Sequence, residues 1–194
     1  MRVIRYENTV PMRWKNGLGQ SRLITRSGND DETFDWQVSL ATMMGELPFS
    51  EYPGVDRSLC VIRGTDLIVA AGDTHLSLTP LSEPWHFPGE LPVIGRTSGM
   101  NGMDDFNVLT RRTFGNHSTN RFSLAKPISS PMSADLLIVF VQEGEAMVYY
   151  GDESTVLRER DTAIIAKSNP PEYEIQPLQY SVCITSAVWR AEHC

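Results

Sequence analysis

Leu59–Gly64 (LCVIRG) has a similar counterpart 80 residues later, Val139–Gly144 (VFVQEG). After each glycine come further apolar residues of the kind that form strands, Leu67–Val69 in the first half and Met147–Tyr149 in the second. A β-forming run, a glycine and a second β-forming run are typical of a hairpin. Because this unit occurs twice, the sequence predicts two small β-barrels of similar plan.

The rest of the chain also has the pattern of strands. Trp36–Met43 alternates with period two, as expected of a half-buried strand. No helical periodicity continues for three turns, and the 12 prolines lie where they would interrupt helices. We therefore predict an all-β fold. We expect one barrel over residues 1–115 and a second over residues 116–194, packed together.

Composition limits the classes of function. The 194 residues are 41% hydrophobic and 21% charged, with a net charge of −7 and no basic run that would bind nucleic acid. No apolar run approaches the roughly 18 residues that span a bilayer, and the N-terminus lacks a signal-peptide core. Cys60 and Cys183 lie in apolar runs, which predicts buried free thiols. We expect a soluble cytoplasmic protein without nucleic-acid or membrane partners.

The histidines do not form a metal-binding pattern. Double barrels are typical of cupins, whose enzymes usually carry a His-x-His pair, a Glu and a distant fourth His. The four histidines here are His75, His86, His117 and His193, and no two are separated by a single residue. The nucleophile-elbow, phosphate-loop and zinc-protease motifs are also missing. The carboxylate pair Asp30–Asp31 lies in a polar loop and is expected to be solvated. We predict no metal, no cofactor and no catalytic set.

One candidate binding stretch is the turn around Gly17 and Gly19. It presents Trp14, Lys15 and Asn16 close together. Lysine attracts a carboxylate as a point charge, and an indole supplies an apolar wall. The alternative interpretation is an ordinary β-turn with solvated cations.

Two later stretches add polar groups to the candidate site. Phe49–Arg57 (FSEYPGVDR) is an aromatic-rich turn that ends in the Asp56–Arg57 pair. In Asp105–Arg111, strand alternation places Asp105, Asn107 and Arg111 on one face. Polar groups that point into a barrel need hydrogen-bond partners or a ligand. The alternative is a salt-bridged barrel rim, with Asp56 paired to Arg57 or Asp105 paired to Arg111.

These stretches carry a family resemblance. In order along the chain stand Trp14–Gly19 (WKNGLG), Phe49–Arg57, Phe87–Glu90 (FPGE) and Asp105–Arg111 (DFNVLTR). Together they resemble the HutD/Ves family of bacterial proteins. The resemblance covers the first 112 residues, and the remainder fits the family in length and β character.

The resemblance implies a bicupin fold that lacks the metal-binding histidines and is usually cytoplasmic. In some members it also implies a link to histidine utilisation, with formyl- or formimino-glutamate as a suggested ligand, and the Ves branch is loosely linked to temperature stress. No catalytic activity is firmly attached to the family. This sequence departs from the family pattern at Leu18, where glycine is usual, and at Leu23, where glutamate is usual.

Our hypothesis from the sequence is a non-catalytic protein that binds a small anionic metabolite and acts as a sensor or regulator. Lys15 and Arg57 would hold a carboxylate. The full set of expected ligand-binding residues is Trp14, Lys15, Asn16, Phe49, Asp56, Arg57, Asp105, Asn107 and Arg111. One alternative is a metal-independent isomerase or hydrolase with Asp105 as general base. The other is a protein-interaction module. A homodimer through open sheet edges is compatible with each.

Overall fold

The structure is a computed structural model that describes residues 1–28, 33–168 and 172–191. The Asp30–Asp31 pair, His193 and the terminal Cys194 lie outside the described residues. Strands make up nearly all of the regular structure, with a single 3₁₀ turn at Tyr6–Asn8 among the described residues. The all-β prediction is confirmed. In the described part of the chain, no helix has the length and apolar character needed to cross a bilayer.

The strands in chain order are β1 Arg2–Ile4, β2 Pro11–Arg13, β3 Gly19–Arg26, β4 Trp36–Met43, β5 Glu46–Pro48, β6 Val55–Gly64, β7 Leu67–Ala71, β8 Thr74–Leu78, β9 Trp85–Pro88, β10 Ile94–Thr97, β11 Met103–Arg111, β12 Gly115–Leu124, β13 Ile128–Pro131, β14 Leu136–Glu143, β15 Glu145–Tyr150, β16 Glu153–Arg158, β17 Thr162–Ala166, β18 Glu172–Pro177 and β19 Ser181–Arg190.

The chain divides into two compact units. One contains Val10–Phe114, and the other contains Met1–Thr9 together with Gly115–Cys194. The sequence assigned the first nine residues to the N-terminal barrel, whereas β1 pairs with β17 in the other unit. Arg5 strengthens this attachment, because its Nη1 donates to Asp161 Oδ2 at 2.7 Å and to the Val156 carbonyl oxygen at 2.7 Å.

The unit of residues 10–114, here called the first barrel, contains two sheets. The six-stranded sheet has the order β2-β3-β4-β11-β6-β9, and the four-stranded sheet has the order β5-β10-β7-β8. An apolar core with contributions from both sheets stabilises the barrel by removing side chains from water. Its buried members are Met43, Leu47, Leu59, Val61, Leu67, Val69, Ala71, Leu78, Phe87, Val93 and Met103.

The other unit, here called the second barrel, repeats this plan. Its five-stranded sheet has the order β1-β17-β14-β19-β12, and its four-stranded sheet has the order β13-β18-β15-β16. The buried core cluster of this barrel is apolar apart from the hydroxyl of Tyr150 and the thiol of Cys183. The core includes Val139, Val141 and Ile165.

The repeated glycines join strands of different sheets, so the hairpin prediction is wrong in both halves. β6 lies in the six-stranded sheet and β7 in the four-stranded sheet, and β14 and β15 are divided in the same way. Gly64 has φ +92° and Gly144 has φ +82°, conformations that L side chains rarely adopt. A Cβ would lie 2.5 Å from the Gly102 carbonyl oxygen in the first case and 2.5 Å from that of Tyr180 in the second. Each glycine therefore allows the chain to cross from one sheet to the other.

Candidate functional site

The interior of the first barrel has a polar side on β11. In the antiparallel ladders Asn107 pairs with Leu59, and Leu109 pairs with Arg57. Directly paired residues point to the same face of a sheet, and Leu59 belongs to the barrel core. Asp105, Asn107 and Arg57 therefore project into the barrel, and all three are buried.

Arg57 is the cation of this interior. Its guanidinium carbon lies 4.8 Å from the ring centroid of Phe87, 5.5 Å from that of Tyr52 and 5.7 Å from that of Phe49. Nη1 donates to the Ser50 carbonyl oxygen at 3.0 Å. Nη2 donates to Asn107 Oδ1 at 3.3 Å. Three aromatic faces and two neutral acceptors thus surround the guanidinium.

The positive charge of Arg57 has little compensation from the protein. The side chain is 8% exposed, and its buried Nε has no hydrogen-bond partner in the part of the chain that the structure describes. Within the same residues no carboxylate forms an ion pair with it. Burial lowers the pKa of Arg57, and the nearby charges of Tyr52 and Asp105 oppose that shift. A buried cation in this state attracts an anion.

Asp105 is a buried carboxyl group that is connected to Arg57 through Asn107. Asn107 Nδ2 donates to Asp105 Oδ1, so the amide of Asn107 joins the carboxyl group to Arg57. Burial raises the pKa of Asp105 to about 7, although the Arg57 charge and the Asn107 hydrogen bond act in the opposite direction. The carboxyl group therefore changes protonation state near neutral pH.

Small side chains lie next to these polar groups in the strand ladders. In the ladder between β4 and β11, Ala41 pairs with Asp105 and Ser39 pairs with Asn107. Ser21 on β3 pairs in turn with Ala41. Ser21, Ser39 and Ala41 are all half-buried, although they share a face with fully buried neighbours. The β3–β4 side of this face is therefore partly exposed to solvent, whereas Arg57, Asp105 and Asn107 are buried.

The loop that carries the aromatic rings is fixed by Gly89. The Tyr52 N–H donates to the Gly89 carbonyl oxygen at 2.8 Å, and the Gly89 N–H donates to the Val55 carbonyl oxygen at 2.6 Å. A Cβ at position 89 would lie 2.6 Å from the Tyr52 carbonyl oxygen. Glycine is required by this close approach, which holds Tyr52 against Arg57.

The Trp14 turn is ordered by its own hydrogen bonds. The Trp14 N–H donates to the Gly19 carbonyl oxygen at 3.0 Å, and Asn16 Oδ1 accepts a 3.0 Å bond from the Leu18 N–H. The indole packs over Gly19 and against the core of the first barrel. Lys15 and Asn16 are exposed. The turn therefore contributes Trp14 to the barrel core, whereas the Asn16 side chain stabilises the turn.

Asp56 and Arg111 are not brought to the guanidinium of Arg57. Asp56 is the neighbour of Arg57 on β6 and points to the opposite face, where its Oδ1 accepts a 2.8 Å bond from Arg112 Nε. Arg112 also binds Glu90, with Nη2 2.6 Å from Oε2. Arg111 Nε donates to the Phe34 carbonyl oxygen at 3.1 Å, and its guanidinium lies over the Phe34 ring. A rim ion pair does exist, but it joins Asp56 to Arg112.

The structure thus brings together Phe49, Arg57, Asp105 and Asn107 of the expected set. The sequence interpretation missed Tyr52 and Phe87 as rings on Arg57 and the Ser50 carbonyl oxygen as an acceptor. Their signal was present, because all three lie in the motifs that carry the family resemblance. Their contacts with Arg57 could not be predicted, because the sequence does not show which motifs lie next to each other in the folded barrel.

The second barrel and the possible metal ligands are weaker candidates for a binding site. A shallow depression of about 640 Å³ on the second barrel is lined by Glu143, Gly144, Glu145, Arg158, Glu159, Gln179 and Tyr180. In it, Arg158 Nε lies 3.6 Å from Glu145 Oε1, so this cation is already paired. Among the described residues, no three His, Cys, Asp or Glu side chains lie close enough to hold a metal ion.

Comparison with known proteins gives a family match over most of the chain. The HutD family model matches residues 6–182. Protein Ves of Citrobacter koseri is 28% identical over 99 residues, which cover 51% of this chain and 52% of that protein. The chain thus spans about half the length of the curated relatives it matches.

Solved structures show the fold. A conserved protein of unknown function from Pseudomonas aeruginosa PAO1 has a TM-score of 0.90 with 18% identity, over 97% of this chain and 98% of that one. HutD from Pseudomonas fluorescens SBW25 has a TM-score of 0.81 with 24% identity, over 98% of both chains. A cupin 2 conserved barrel domain protein from Leptotrichia buccalis has a TM-score of 0.60 with 10% identity, over 96% of both chains. The predicted bicupin fold is therefore confirmed.

Proposed function

The chain belongs to the HutD family, and we propose that it binds a small carboxylate in the interior of the first barrel and acts as a sensor or regulator. A single observation carries this proposal. Arg57 is a buried guanidinium that has three aromatic rings around it, an unpaired Nε and no ion-pair partner among the described residues. A ligand carboxylate would supply both the missing charge and the missing acceptor.

The energetics favour an anion at this position. Desolvation of a cation costs several kcal/mol, and cation–π contacts return only about 0.5–2 kcal/mol each. A hydrogen bond to a charged group contributes about 1.5–3 kcal/mol, and it counts for more where water is excluded. A millimolar complex needs about 4 kcal/mol, so one carboxylate at Nε supplies a large share of that energy and further contacts must supply the rest.

The remaining groups of the site define the ligand further. Ser21 and Ser39 offer hydroxyl groups near the interior, while the rings of Phe49 and Phe87 offer apolar surface. We therefore expect a short carboxylic acid with a polar group at its other end. Intermediates of histidine degradation such as urocanate and formylglutamate have this character, and they form the first set to test.

The experiment is a thermal-shift screen of small carboxylic acids that includes urocanate, formylglutamate, glutamate and glutarate. A ligand that binds only the native state raises its stability by about 2.7 kcal/mol at a hundredfold excess over Kd. The matched control is Arg57→Met, which keeps a long apolar side chain and removes the charge. A shift that occurs in the wild type and is lost in the variant supports the proposal. No shift with any acid would reject it and favour an interaction module.

A second candidate function is metal-independent catalysis with Asp105 as general acid or base. The observation that favours it is the burial of Asp105 in a set that Asn107 connects to Arg57. This burial raises the pKa of Asp105 to about 7, and proton transfer is most effective when the pKa of the group is near the working pH. Arg57 would then stabilise negative charge that develops on the substrate. Turnover that Asp105→Asn abolishes while ligand binding persists would support an enzyme. Binding without product over extended incubation would exclude it for that acid.

A further inference from the structure

We propose that the first barrel takes up its carboxylate ligand together with one proton, which Asp105 holds. This inference rests on the proposed binding at Arg57 and adds a specificity determinant to that site. The ligand's carboxylate would accept hydrogen bonds from Arg57 Nε and from the carboxyl O–H of Asp105. The proton comes from solvent, so that one O–H bond forms at Asp105 and one buffer acid is deprotonated.

The orientation of Asn107 fixes where the proton resides. Its Oδ1 accepts from Arg57 Nη2, so its Nδ2 must be the atom that donates to Asp105 Oδ1. An oxygen that accepts this hydrogen bond is disfavoured as the proton's position. The other oxygen, Oδ2, is therefore the atom that carries the proton and donates to a ligand.

The surroundings of Asp105 contain one buried cation. β6 contributes Arg57, and the loop before β6 contributes Tyr52, whose ring lies on Arg57. On β11 itself, Asp104 projects to the opposite face and accepts a 2.6 Å hydrogen bond from Thr42 Oγ1. Arg111, at the other end of β11, donates to the Phe34 carbonyl oxygen. Asp104 raises the pKa of Asp105 slightly, because the two carboxylates carry like charges. Asp104 therefore does not neutralise any charge at the site.

Among the described residues, the strand ladders place no cation directly beside Asp105. β4 presents Gln37, Ser39 and Ala41 on this face, none of which titrates. β3 presents Ser21 and Leu23 beside them, and Arg26 follows opposite Gln37, four pairs further along the ladder from Ala41. The facing core contributions from β7 and β9 are apolar, namely Leu67, Val69, Trp85 and Phe87.

One buried guanidinium does not stabilise two adjacent carboxylates when Asp105 itself is buried. When a second carboxylate arrives, the like charges raise the pKa of the weaker acid, and one proton is bound. Asp105 already has a pKa of about 7 in the free protein because of its burial. A ligand carboxylate raises that pKa further, so Asp105 is protonated in the complex at neutral pH.

The inference gives a definite pH dependence. Well below the pKa of the free protein, Asp105 already holds its proton and affinity is independent of pH. Above that pKa, each pH unit lowers the affinity about tenfold, until the pKa of the complex is reached. Proton uptake per bound ligand is accordingly close to zero at about pH 5.5 and approaches one at about pH 8.

The test is calorimetric titration with glutarate, whose carboxyl groups are ionised at about pH 8. Titrations in phosphate and in Tris, buffers with different enthalpies of ionisation, give the number of protons bound. We expect close to one proton in the wild type, and none in Asp105→Asn. Asp104→Asn is the matched control, because it removes the adjacent carboxylate on the other face. It should retain the uptake.

A measurement on the wild type alone covers the case in which Asp105→Asn loses binding. The infrared difference spectrum on addition of glutarate at about pH 8 should gain the C=O stretch of a protonated carboxyl group. Glutarate binding that requires Arg57 but takes up no proton and gains no such band would overturn this inference and leave the proposed function intact. Failure of every carboxylate to bind, or binding unchanged in Arg57→Met, would overturn both.

Discussion

Arg57 Nη2 donates a hydrogen bond to Asn107 Oδ1 over 3.3 Å, between two neighbouring strands inside the first barrel. This contact joins two sequence motifs that are 50 residues apart. Asn107 also donates to Asp105, so a buried cation, an amide and a buried carboxyl group form one connected set. Among the described residues of the second barrel, the one buried charged side chain is Asp161, which is paired with Arg5. This difference makes the first barrel the functional one in our account.

Replacement of Arg57 by Met should abolish carboxylate binding without unfolding the protein. Removing a buried cation that has no ion-pair partner among the described residues relieves a desolvation penalty, and this gain offsets the acceptors left at Ser50 and Asn107. We expect a change in the free energy of unfolding below about 2 kcal/mol by urea denaturation, with loss of the thermal shift. A loss of stability well above that value would show that Arg57 is chiefly a structural residue.

Stability should depend on pH through Asp105. Its pKa is raised to about 7, whereas the unfolded chain titrates near the ordinary value of 3.8. Between these values the folded state holds more protons than the unfolded state, so the free energy of unfolding falls as pH rises from about 4 to about 7. Asp105→Asn lacks this titration. Its stability relative to the wild type should therefore increase by about 2–4 kcal/mol across that window and remain constant above it.

Thermal unfolding of the wild type and Asp105→Asn at a series of pH values checks this expectation. Asp104→Asn serves as the control, because that side chain is half-buried and bonded to Thr42. Parallel curves for the wild type and Asp105→Asn would contradict the assignment of a neutral-pH titration to Asp105.

Gly89→Ala should destabilise the first barrel and weaken ligand binding together. The added Cβ would meet the Tyr52 carbonyl oxygen at 2.6 Å and that of Val55 at 2.8 Å, and neither backbone group can move freely. We expect a cost of about 1–3 kcal/mol. Gly72→Ala is the control, since no atom lies within 4 Å of its Cβ and only its positive φ of 57° opposes the change. Equal behaviour of the two variants in denaturation and binding would argue against close packing at Gly89.

Lys15→Ala should affect carboxylate affinity much less than Arg57→Met does. Lys15 is exposed on the turn, where water screens its charge, while Arg57 is buried. Calorimetric titration of both variants with the same acid measures the difference. If Lys15→Ala lowers the carboxylate affinity as much as Arg57→Met does, the turn is part of the binding site, as the sequence interpretation proposed.

Local pattern was enough to predict the β-fold but not the way its strands connect. The alternation in Trp36–Met43 and Asp105–Arg111 predicted β4 and β11, and the polar face of β11 was visible in the same alternation. The runs around Gly64 predicted two strands correctly, but β6 and β7 belong to different sheets. Sequence neighbours do not reveal sheet membership, because the partners of β6 are β9 and β11.

The candidate site was partly predictable for the same reason. Residue type, strand alternation and the family motifs suggested Arg57, Asp105 and Asn107, and these do meet. Asp56 is adjacent to Arg57 in sequence, yet it points to the other face and pairs with Arg112. The turn at Asn16 was interpreted as a ligand-binding turn, but the Asn16 side chain accepts a hydrogen bond from the Leu18 backbone N–H. Roles of this kind depend on contacts between distant segments.

The most direct test of the central claim is a crystal structure grown with the carboxylic acid that gives the largest thermal shift. Our account predicts a ligand carboxylate within hydrogen-bond distance of Arg57 Nε, with its second oxygen near Asp105. A ligand bound at the Lys15 turn or in the depression of the second barrel, with Arg57 Nε still unpaired, would contradict it.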